Sequence, residues 1–281
     1  MSDISSNQID RSNQTPIIPA IMPKDYQDFE FMAGMVRGAV ERVQIDIMDG
    51  VFTPALSWPF LKPTKGTGLH DNLKAGESKI EDHLDIHFRN MQSEIEGLPF
   101  WQELDYDVDL MVENPAKAVD EWVKVGVSRV ILHAREHNLN DIAVAIDVAK
   151  NVNVEVSIAV LPGPISERMM DFIFKKHLQD ISGIQCMGIE EVGYQHHPFS
   201  PKVFETIKQI LLALDIHNAE VTKNGEGSYK TLEISVDGGV NHEHARPLYD
   251  AGVDKLVVGS AIFGSDSPRQ SIEFFSDILM N

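Results

Sequence analysis

Residues 43–50 of the chain read VQIDIMDG, a short β-branched run that ends in an Asp-Gly turn. Seven further apolar runs follow the same plan along the chain, with helical stretches between them. Several are nearly continuous, as expected for parallel strands that are covered on both faces. The eight predicted strands are Ile17–Met22, Val43–Met48, Asp107–Val112, Arg129–His133, Glu155–Val160, Ile184–Met187, Leu232–Val236 and Leu256–Val258.

The intervening helices are indicated by their first residues. Asn114-Pro115, Ser200-Pro201 and Ser267-Pro268 each place an N-cap residue before a proline, and an apolar stripe at helical spacing follows each pair. About eight strand–helix units in a row predict an α/β chain folded as a (β/α)8 barrel. An open doubly wound sheet is the competing arrangement.

The composition excludes several functional classes. The 281 residues carry 43 Asp and Glu against 24 Lys and Arg, a formal charge of −19, which disfavours binding to nucleic acid or to an anionic membrane. The sequence has neither a membrane-spanning apolar run nor a signal-peptide pattern. Its single cysteine, Cys186, excludes an internal disulfide or a zinc ribbon. We therefore expect a cytoplasmic chain in which Cys186 is an inert core residue.

Domain boundaries follow from local composition. Residues 1–14 are polar and predict a disordered tail, and residues 15–281 predict a single barrel domain. The polar segment at about 63–104 is long for one connection and one helix, so we interpret it as a helical insertion. His217–Tyr229 is rich in Gly, Asn and Lys and predicts an exposed loop.

Acidic residues stand at predicted strand ends, where barrels place their chemistry. On the second strand, Gln44, Asp46 and Met48 point to one side. A carboxylate inside a barrel is costly unless it is paired, bound to metal or used for proton transfer, and an aspartate satisfied by neighbouring amides or a lysine is the alternative. Asp109 repeats this pattern on the third strand, and Asp237 ends the seventh.

Glycines after the last two strands predict an anion site. Gly238-Gly239 follows the seventh strand and Gly259-Ser260 follows the eighth, and barrels commonly bind phosphate in these loops. Two interior acids beside such a site suit removal of a proton from one face of a carbon and its return to the other face.

These motifs, in this order, resemble those of the ribulose-phosphate 3-epimerase family of TIM barrels of the ribulose-phosphate-binding type. The resemblance covers the chain from about residue 17 onward, with the segment after Pro63 as its main interruption. The motifs that carry it are IIPAIM, QIDIMDGVFTP, DVDLMVENP, RVILHA, VLPGP, ISVDGGVN and VDKLVVGSAIFG.

The resemblance implies an isomerase of carbohydrate metabolism that inverts C3 of a ketose phosphate, with ribulose 5-phosphate and xylulose 5-phosphate as the default pair. Asp46 and Asp237 would be the two acid/base residues and also metal ligands, and Met48 and Met111 would cover the enediolate. The phosphate would be held by Gly238, Gly239, Gly259 and Ser260. The family also implies a homo-oligomer and no organic cofactor.

The chain departs from the family at its metal ligands. Gln44 and Asp109 stand where the family carries histidines. The set Gln44, Asp46, Asp109 and Asp237 is then all oxygen, which suits Mg, Mn or Fe(II) more than Zn. Without a metal, three converging acids would raise at least one pKa, and the enediolate would need another electrophile.

Two further departures leave alternatives open. Ala20 replaces the serine of the first strand motif, and MGIEEVGYQHHPF replaces the glycine-rich segment after strand six. An enzyme for a different sugar phosphate and a non-catalytic sugar-phosphate-binding paralogue are therefore the competing functions.

Several histidines have two interpretations each. His133 ends the fourth strand as a substrate contact or a structural hydrogen-bonding partner. His83 and His87 form either a metal pair or part of a solvated helix face, and His196-His197 form either a phosphate contact or a polar loop.

Overall fold

The computed structural model describes residues 15–60, 84–193, 197–225 and 227–280. Within these residues eight parallel strands form a closed barrel in chain order, and β1 pairs with β8 to close it. The strands are β1 (Ile17–Ile21), β2 (Arg42–Met48), β3 (Asp105–Met111), β4 (Arg129–His133), β5 (Glu155–Val160), β6 (Gly183–Met187), β7 (Glu233–Asp237) and β8 (Lys255–Val258). The prediction of a (β/α)8 barrel is confirmed, and the open sheet is excluded.

Helices follow the strands and cover the barrel, and their apolar faces join the strands' outward side chains in one core. In the described part of the chain they are α1 (Tyr26–Val36), α2 (Ile86–Gln92), α3 (Pro115–Val123), α4 (Leu139–Asn151), α5 (Glu167–Met170), α6 (Val203–Asn224), α7 (His242–Asp250), α8 (Ser260–Phe263) and α9 (Pro268–Met280). A π-helical turn, Asp171–Lys176, continues α5.

The predicted N-caps hold for two of the three helices. The Asn114 side chain accepts the backbone N–H of Lys117 at the start of α3, and Pro268 is the first residue of α9. The third prediction is wrong by two residues, because α6 begins at Val203, beyond Pro201. Ser200 instead lies in the turn that leads into the helix, where its carbonyl accepts the Val203 N–H.

The predicted loop at 217–229 is wrong over most of its length. Helix α6 continues to Asn224 and ends at Gly225, whose φ of +65° is the left-handed conformation of a helix terminus. Asn218 exchanges two side-chain hydrogen bonds with the backbone of Lys230, which fastens the returning chain to the helix. Residues 217–224 therefore extend a helix although their types favour a loop, because tertiary contacts override a weak local conformational preference.

The predicted insertion at about 63–104 lies partly outside the described residues, as does the predicted tail at 1–14. Its described part, 84–104, contains α2 and returns the chain to β3. Leu84, Phe88, Met91 and Leu98 from this part are buried in the main core. This part of the segment thus supplies apolar side chains to the main core.

No helix in the described ranges is both long enough and apolar enough to cross a membrane.

Candidate active site at the carboxyl end of the barrel

Three aspartates converge inside the barrel near its carboxyl end. The parallel register places Asp46 of β2 beside Asp109 of β3, and Asp237 is the last residue of β7. Each carboxylate offers an oxygen that lies within 4.8 Å of the others. The structure therefore brings together the three acids that the sequence singled out.

Two glutamines connect these carboxylates. Gln44 donates from Nε2 to Asp46 Oδ1 at 2.9 Å and to Asp237 Oδ2 at 2.8 Å. Gln185 of β6 donates from Nε2 to Asp109 Oδ2 at 3.1 Å and to Asp237 Oδ2 at 3.2 Å. Asp237 thus receives an amide hydrogen bond from each side, and the three acids form one hydrogen-bonded unit.

Gln185 is a component of the site that sequence reasoning missed, and His133 is a component for which it left two roles open. His133 Nε2 lies 2.5 Å from Asp109 Oδ1, which supports the hydrogen-bonding interpretation of this histidine. Gln185 lies in an apolar run, IQCM, and its position on the inward face of β6 is the one signal that could have indicated a role in the site. Strand alternation gives that face once the barrel is known, but it gives no partner across the barrel.

The surroundings make the carboxylates hard to ionise together. Burial raises the pKa of Asp46 well above its usual value, the charges of Asp237 and Asp109 raise it further, and the Gln44 hydrogen bond partly offsets them. Burial and the charge of Asp109 likewise raise the pKa of Asp237, against hydrogen bonds from Gln44 and the Gly238 backbone. Carboxyl groups shifted in this way can hold and release a proton near neutral pH.

A cavity of about 400 Å³ opens above the acids. The predicted substrate-binding residues all line it, namely Met48, Met111, Gly238, Gly239, Gly259 and Ser260. Met22, Met32 and Met187 line it too, so the sequence identified only part of a methionine-rich wall. Such a wall is apolar and adaptable, and it leaves the acids as the main polar groups of the cavity.

The glycine pair after β7 is needed for the backbone path. Gly238 has φ +104° and Gly239 has φ +67°, in the region that side chains rarely adopt. A Cβ on Gly238 would lie 2.7 Å from Ile189, and one on Gly239 would lie 3.0 Å from the Phe199 backbone. These glycines allow the chains after β6 and β7 to meet closely at the cavity edge.

The loop after β2 fixes the acid that precedes it. Asp49 accepts the N–H groups of Val51 and Phe52, and Gly50 has φ +77°, which confirms Asp49-Gly50 as a turn. The buried Ser57 hydroxyl then donates to the Asp46 carbonyl at 2.8 Å and accepts the Met48 N–H at 2.9 Å. The backbone from the Asp46 carbonyl to Met48 is therefore held in place.

The carboxylate set is chemically suited to a divalent cation. Three carboxylates whose oxygens lie within 4.8 Å of one another match the all-oxygen coordination that Mg²⁺ or Mn²⁺ prefers. Gln44 is oriented differently, with its amide nitrogen toward Asp46 and Asp237. To become the fourth predicted ligand, Gln44 would have to turn its amide so that the oxygen faces the ion.

The remaining residues that the sequence singled out are two pairs of histidines and Cys186. His197 lines it, whereas His196 and His83 lie outside the described residues. His87 stacks on Tyr26 and contacts Glu96 through Nδ1, away from the acids. Cys186 is buried, and burial raises the pKa of its thiol to about 12, consistent with an inert core residue.

The fold and the site together define a class, the (β/α)8 barrels that carry a cluster of carboxylates at the carboxyl ends of the strands. Within that class, the ribulose-phosphate 3 epimerase family model matches residues 85–263. The chain belongs to this family.

Sequence relatives agree with the family match. Ribulose-phosphate 3-epimerase of Mycobacterium tuberculosis is 25% identical over 256 residues, which cover 91% of this chain and 89% of the relative. The protein of the same name from Chlamydia trachomatis is 31% identical over 253 residues, covering 89% and 87%. These relatives are epimerases by name, and the level of identity leaves room for changes at single site residues.

Two solved structures with a similar fold are named as enzymes of other kinds. KGPDC from Streptococcus mutans has a TM-score of 0.56 at 11% identity, covering 95% of this chain and 98% of its own. Orotidine 5'-phosphate decarboxylase from Pyrococcus horikoshii has a TM-score of 0.53 at 16% identity, covering 94% and 99%. At these identities the similarity establishes the barrel fold alone.

Proposed function

We infer that this protein is an epimerase that inverts C3 of a ketose phosphate, with ribulose 5-phosphate and xylulose 5-phosphate as the interconverted pair. The observation that carries the inference is the pairing of Asp46 and Asp237 in one cavity, joined through Gln44 and both with raised pKa values. Inversion needs two proton-transfer groups on opposite faces of one carbon, and these acids stand on β2 and β7.

In the proposed reaction one of these groups, as the carboxylate, accepts the proton from C3. The electron pair of the broken C–H bond forms the enediolate with the neighbouring carbonyl. The other group, as the carboxylic acid, donates its proton to the opposite face of C3 and restores the ketone. Hydrogen bonds from Gln44 to both acids keep them in a fixed relation while one loses and the other gains a proton.

The methionines and the glycine loops bind the rest of the substrate in this proposal. Met48 and Met111 are neighbours across β2 and β3, and their thioethers form an apolar cover over the planar enediolate. Gly239 and Gly259 bring backbone close to the cavity and leave space for a phosphate group. His197, at the same cavity, can donate to that phosphate.

A divalent cation fits the proposal. Asp46, Asp109 and Asp237 would hold it, and the ion would supply positive charge that neutralises the developing enediolate.

The test is turnover of ribulose 5-phosphate by protein stripped of metal and then supplied separately with magnesium, manganese, iron(II) or zinc. The expected result is xylulose 5-phosphate formation, together with exchange of the C3 hydrogen for solvent deuterium. Turnover of a hexulose phosphate in place of the pentulose would assign the site to another sugar phosphate. Binding of sugar phosphate without deuterium exchange under any condition would identify a non-catalytic binder.

A further inference from the structure

Beside the three acids lies a histidine that does not reach the cavity. His133 is the last residue of β4, its side chain is 1% exposed, and it is absent from the described residues that line the cavity. Its Nε2 contacts Asp109 Oδ1 at 2.5 Å. Any influence of His133 on a bound substrate must therefore pass through Asp109.

The opposite ring nitrogen of His133 faces an arginine. Arg135 places Nη2 3.5 Å from His133 Nδ1 and donates from Nη1 to the Ala134 carbonyl at 2.9 Å. Its guanidinium also lies over the Phe52 ring, 5.8 Å from the centroid. Two contacts besides the imidazole thus hold the guanidinium in its place.

The two contacts hold the imidazole from opposite sides. Arg135 presents a donor group toward Nδ1, and the Asp109 carboxylate presents an acceptor to Nε2. The backbone around this pair is also fastened, since Asn138 donates to the His133 carbonyl and accepts the Arg135 N–H.

The hydrogen bond from His133 determines what the rest of Asp109 can do. With Oδ1 engaged, Oδ2 accepts from Gln185 Nε2, and the same nitrogen reaches Asp237 Oδ2. The Gln185 amide oxygen points away from the acids toward the Ser235 hydroxyl, 3.4 Å away. One chain of hydrogen bonds therefore runs from Arg135 to the carboxylate of Asp237.

We propose that Arg135 and His133 are positioning residues for the reaction of this site: Arg135 holds the ring of His133 in place, and His133 orients Asp109 so that Gln185 holds Asp237 in its reactive position. The proposal rests on the proposed epimerase function. It assigns no contact with substrate to either residue.

The first measurement is the contact between Arg135 and His133. In nitrogen-15 NMR of histidine-labelled protein, Arg135→Met should shift the ring signals of His133. Arg168→Met is the matched control, because Arg168 is exposed and pairs at 3.9 Å with Glu136 on the surface. His133 ring signals that Arg135→Met leaves unchanged, or that Arg168→Met shifts equally, would overturn the proposal.

The second measurement separates positioning from structure. His133→Leu should lower kcat roughly tenfold or more with KM within twofold, because orientation is lost while the cavity wall is intact. His133→Gln, whose amide can donate to Asp109, should recover most of the lost kcat. A rise in KM without a fall in kcat, or equal damage in both variants at unchanged urea midpoints, contradicts the proposal.

Failure of the proposed function is distinguishable from failure of this inference. An unmodified protein that turns over none of the ketose phosphates refutes the epimerase assignment. The NMR comparison then decides the role of Arg135 alone, since it requires no substrate.

Discussion

Strand β3 carries two buried aspartates, two residues apart and on the same inward face, in opposite surroundings. At the amino end of the barrel Asp107 lies 3.6 Å from Arg42 and 3.8 Å from Arg129, which also pair with Glu233. At the carboxyl end Asp109 faces two other acids, and its hydrogen-bond partners there are the neutral amide of Gln185 and the imidazole of His133. The amino end therefore pairs its carboxylates with arginines, whereas the carboxyl end places three carboxylates close together.

The comparison separates a structural use of buried charge from a functional one. A buried carboxylate beside arginines is part of a structural ion-pair cluster. We call this cluster of Arg42, Asp107, Arg129 and Glu233 the charged floor of the barrel, and removal of one partner there leaves another buried charge unpaired. A buried carboxylate beside carboxylates is unfavourable in isolation and is typical of sites that bind a cation or move a proton. The neighbours of Asp107 and Asp109 thus give the two aspartates of β3 different roles.

Loss of either proposed proton-transfer group should have the largest effect. Asp46→Asn and Asp237→Asn are each expected to lower kcat by roughly 10²–10⁴-fold, the contribution typical of a general acid or base. The urea midpoint should not fall, because each change removes a like charge from the cluster. Asp107→Asn, at the other end of β3, is the control and should keep its turnover. Turnover close to that of the unmodified protein in both variants would contradict the mechanism.

Breaking the charged floor should instead affect stability. Arg129→Met leaves buried carboxylates without their main partner, so the free energy of unfolding should drop by about 3–5 kcal/mol. Arg246→Met, which removes an exposed pair with Asp250, should cost less than about 1 kcal/mol. Urea unfolding measures both changes, and equal losses would show that the floor is no stronger than a surface ion pair.

The floor should also respond to pH with a defined sign. Burial raises the pKa of Asp107 from 3.8 to about 6, although Arg129 and Arg42 lower it. A group whose pKa is raised by folding stabilises the folded state below its unfolded value and loses that contribution as pH rises. Ionisation of Asp107 between about pH 4 and 6 should therefore cost at most about 3 kcal/mol.

Asp107→Asn is the variant that tests this sign. Its stability relative to the unmodified protein should increase as pH rises from 4 to 7 and then stay constant, measured by urea unfolding at each pH. Stability curves that run parallel across this range would show that Asp107 has an unshifted pKa.

The smallest effect concerns cation binding at the carboxyl end. Asp109→Asn removes one of three carboxylates, so Mn²⁺ affinity should fall by roughly tenfold or more. Calorimetric titration of chelator-treated protein measures this affinity, and Asp107→Asn should bind as the unmodified protein does. Equal affinity in the Asp109 variant and the unmodified protein would remove Asp109 from the set of ligands.

Sequence reasoning located the strands well, because apolar runs bounded by turn residues are a local signal. It erred at α6, where residues 217–224 are polar and their helix is stabilised by contacts such as that of Asn218 with the Lys230 backbone. Local preference was a poor guide there because the deciding partner lies on the returning chain.

The candidate site was likewise predicted only in part from the sequence. Asp46 and Asp237 were recognisable because acids at the ends of apolar strands are unusual, and the family motifs surround them. Gln185 and His133 became part of the site only when β4 and β6 were placed against β3 and β7. Nothing in the residues next to Gln185 in sequence distinguishes it from an ordinary strand residue.

The sequence by itself determined the repeating strand–helix order, the inward position of the acids and the glycines of the last two loops, since these depend on periodicity and backbone conformation. The tertiary structure alone decided that Asp107 is paired with arginines while Asp109 joins two acids, and that amides and an imidazole connect those acids. The reason is that hydrogen bonds and pKa shifts depend on distances between strands, and closure of the barrel sets those distances.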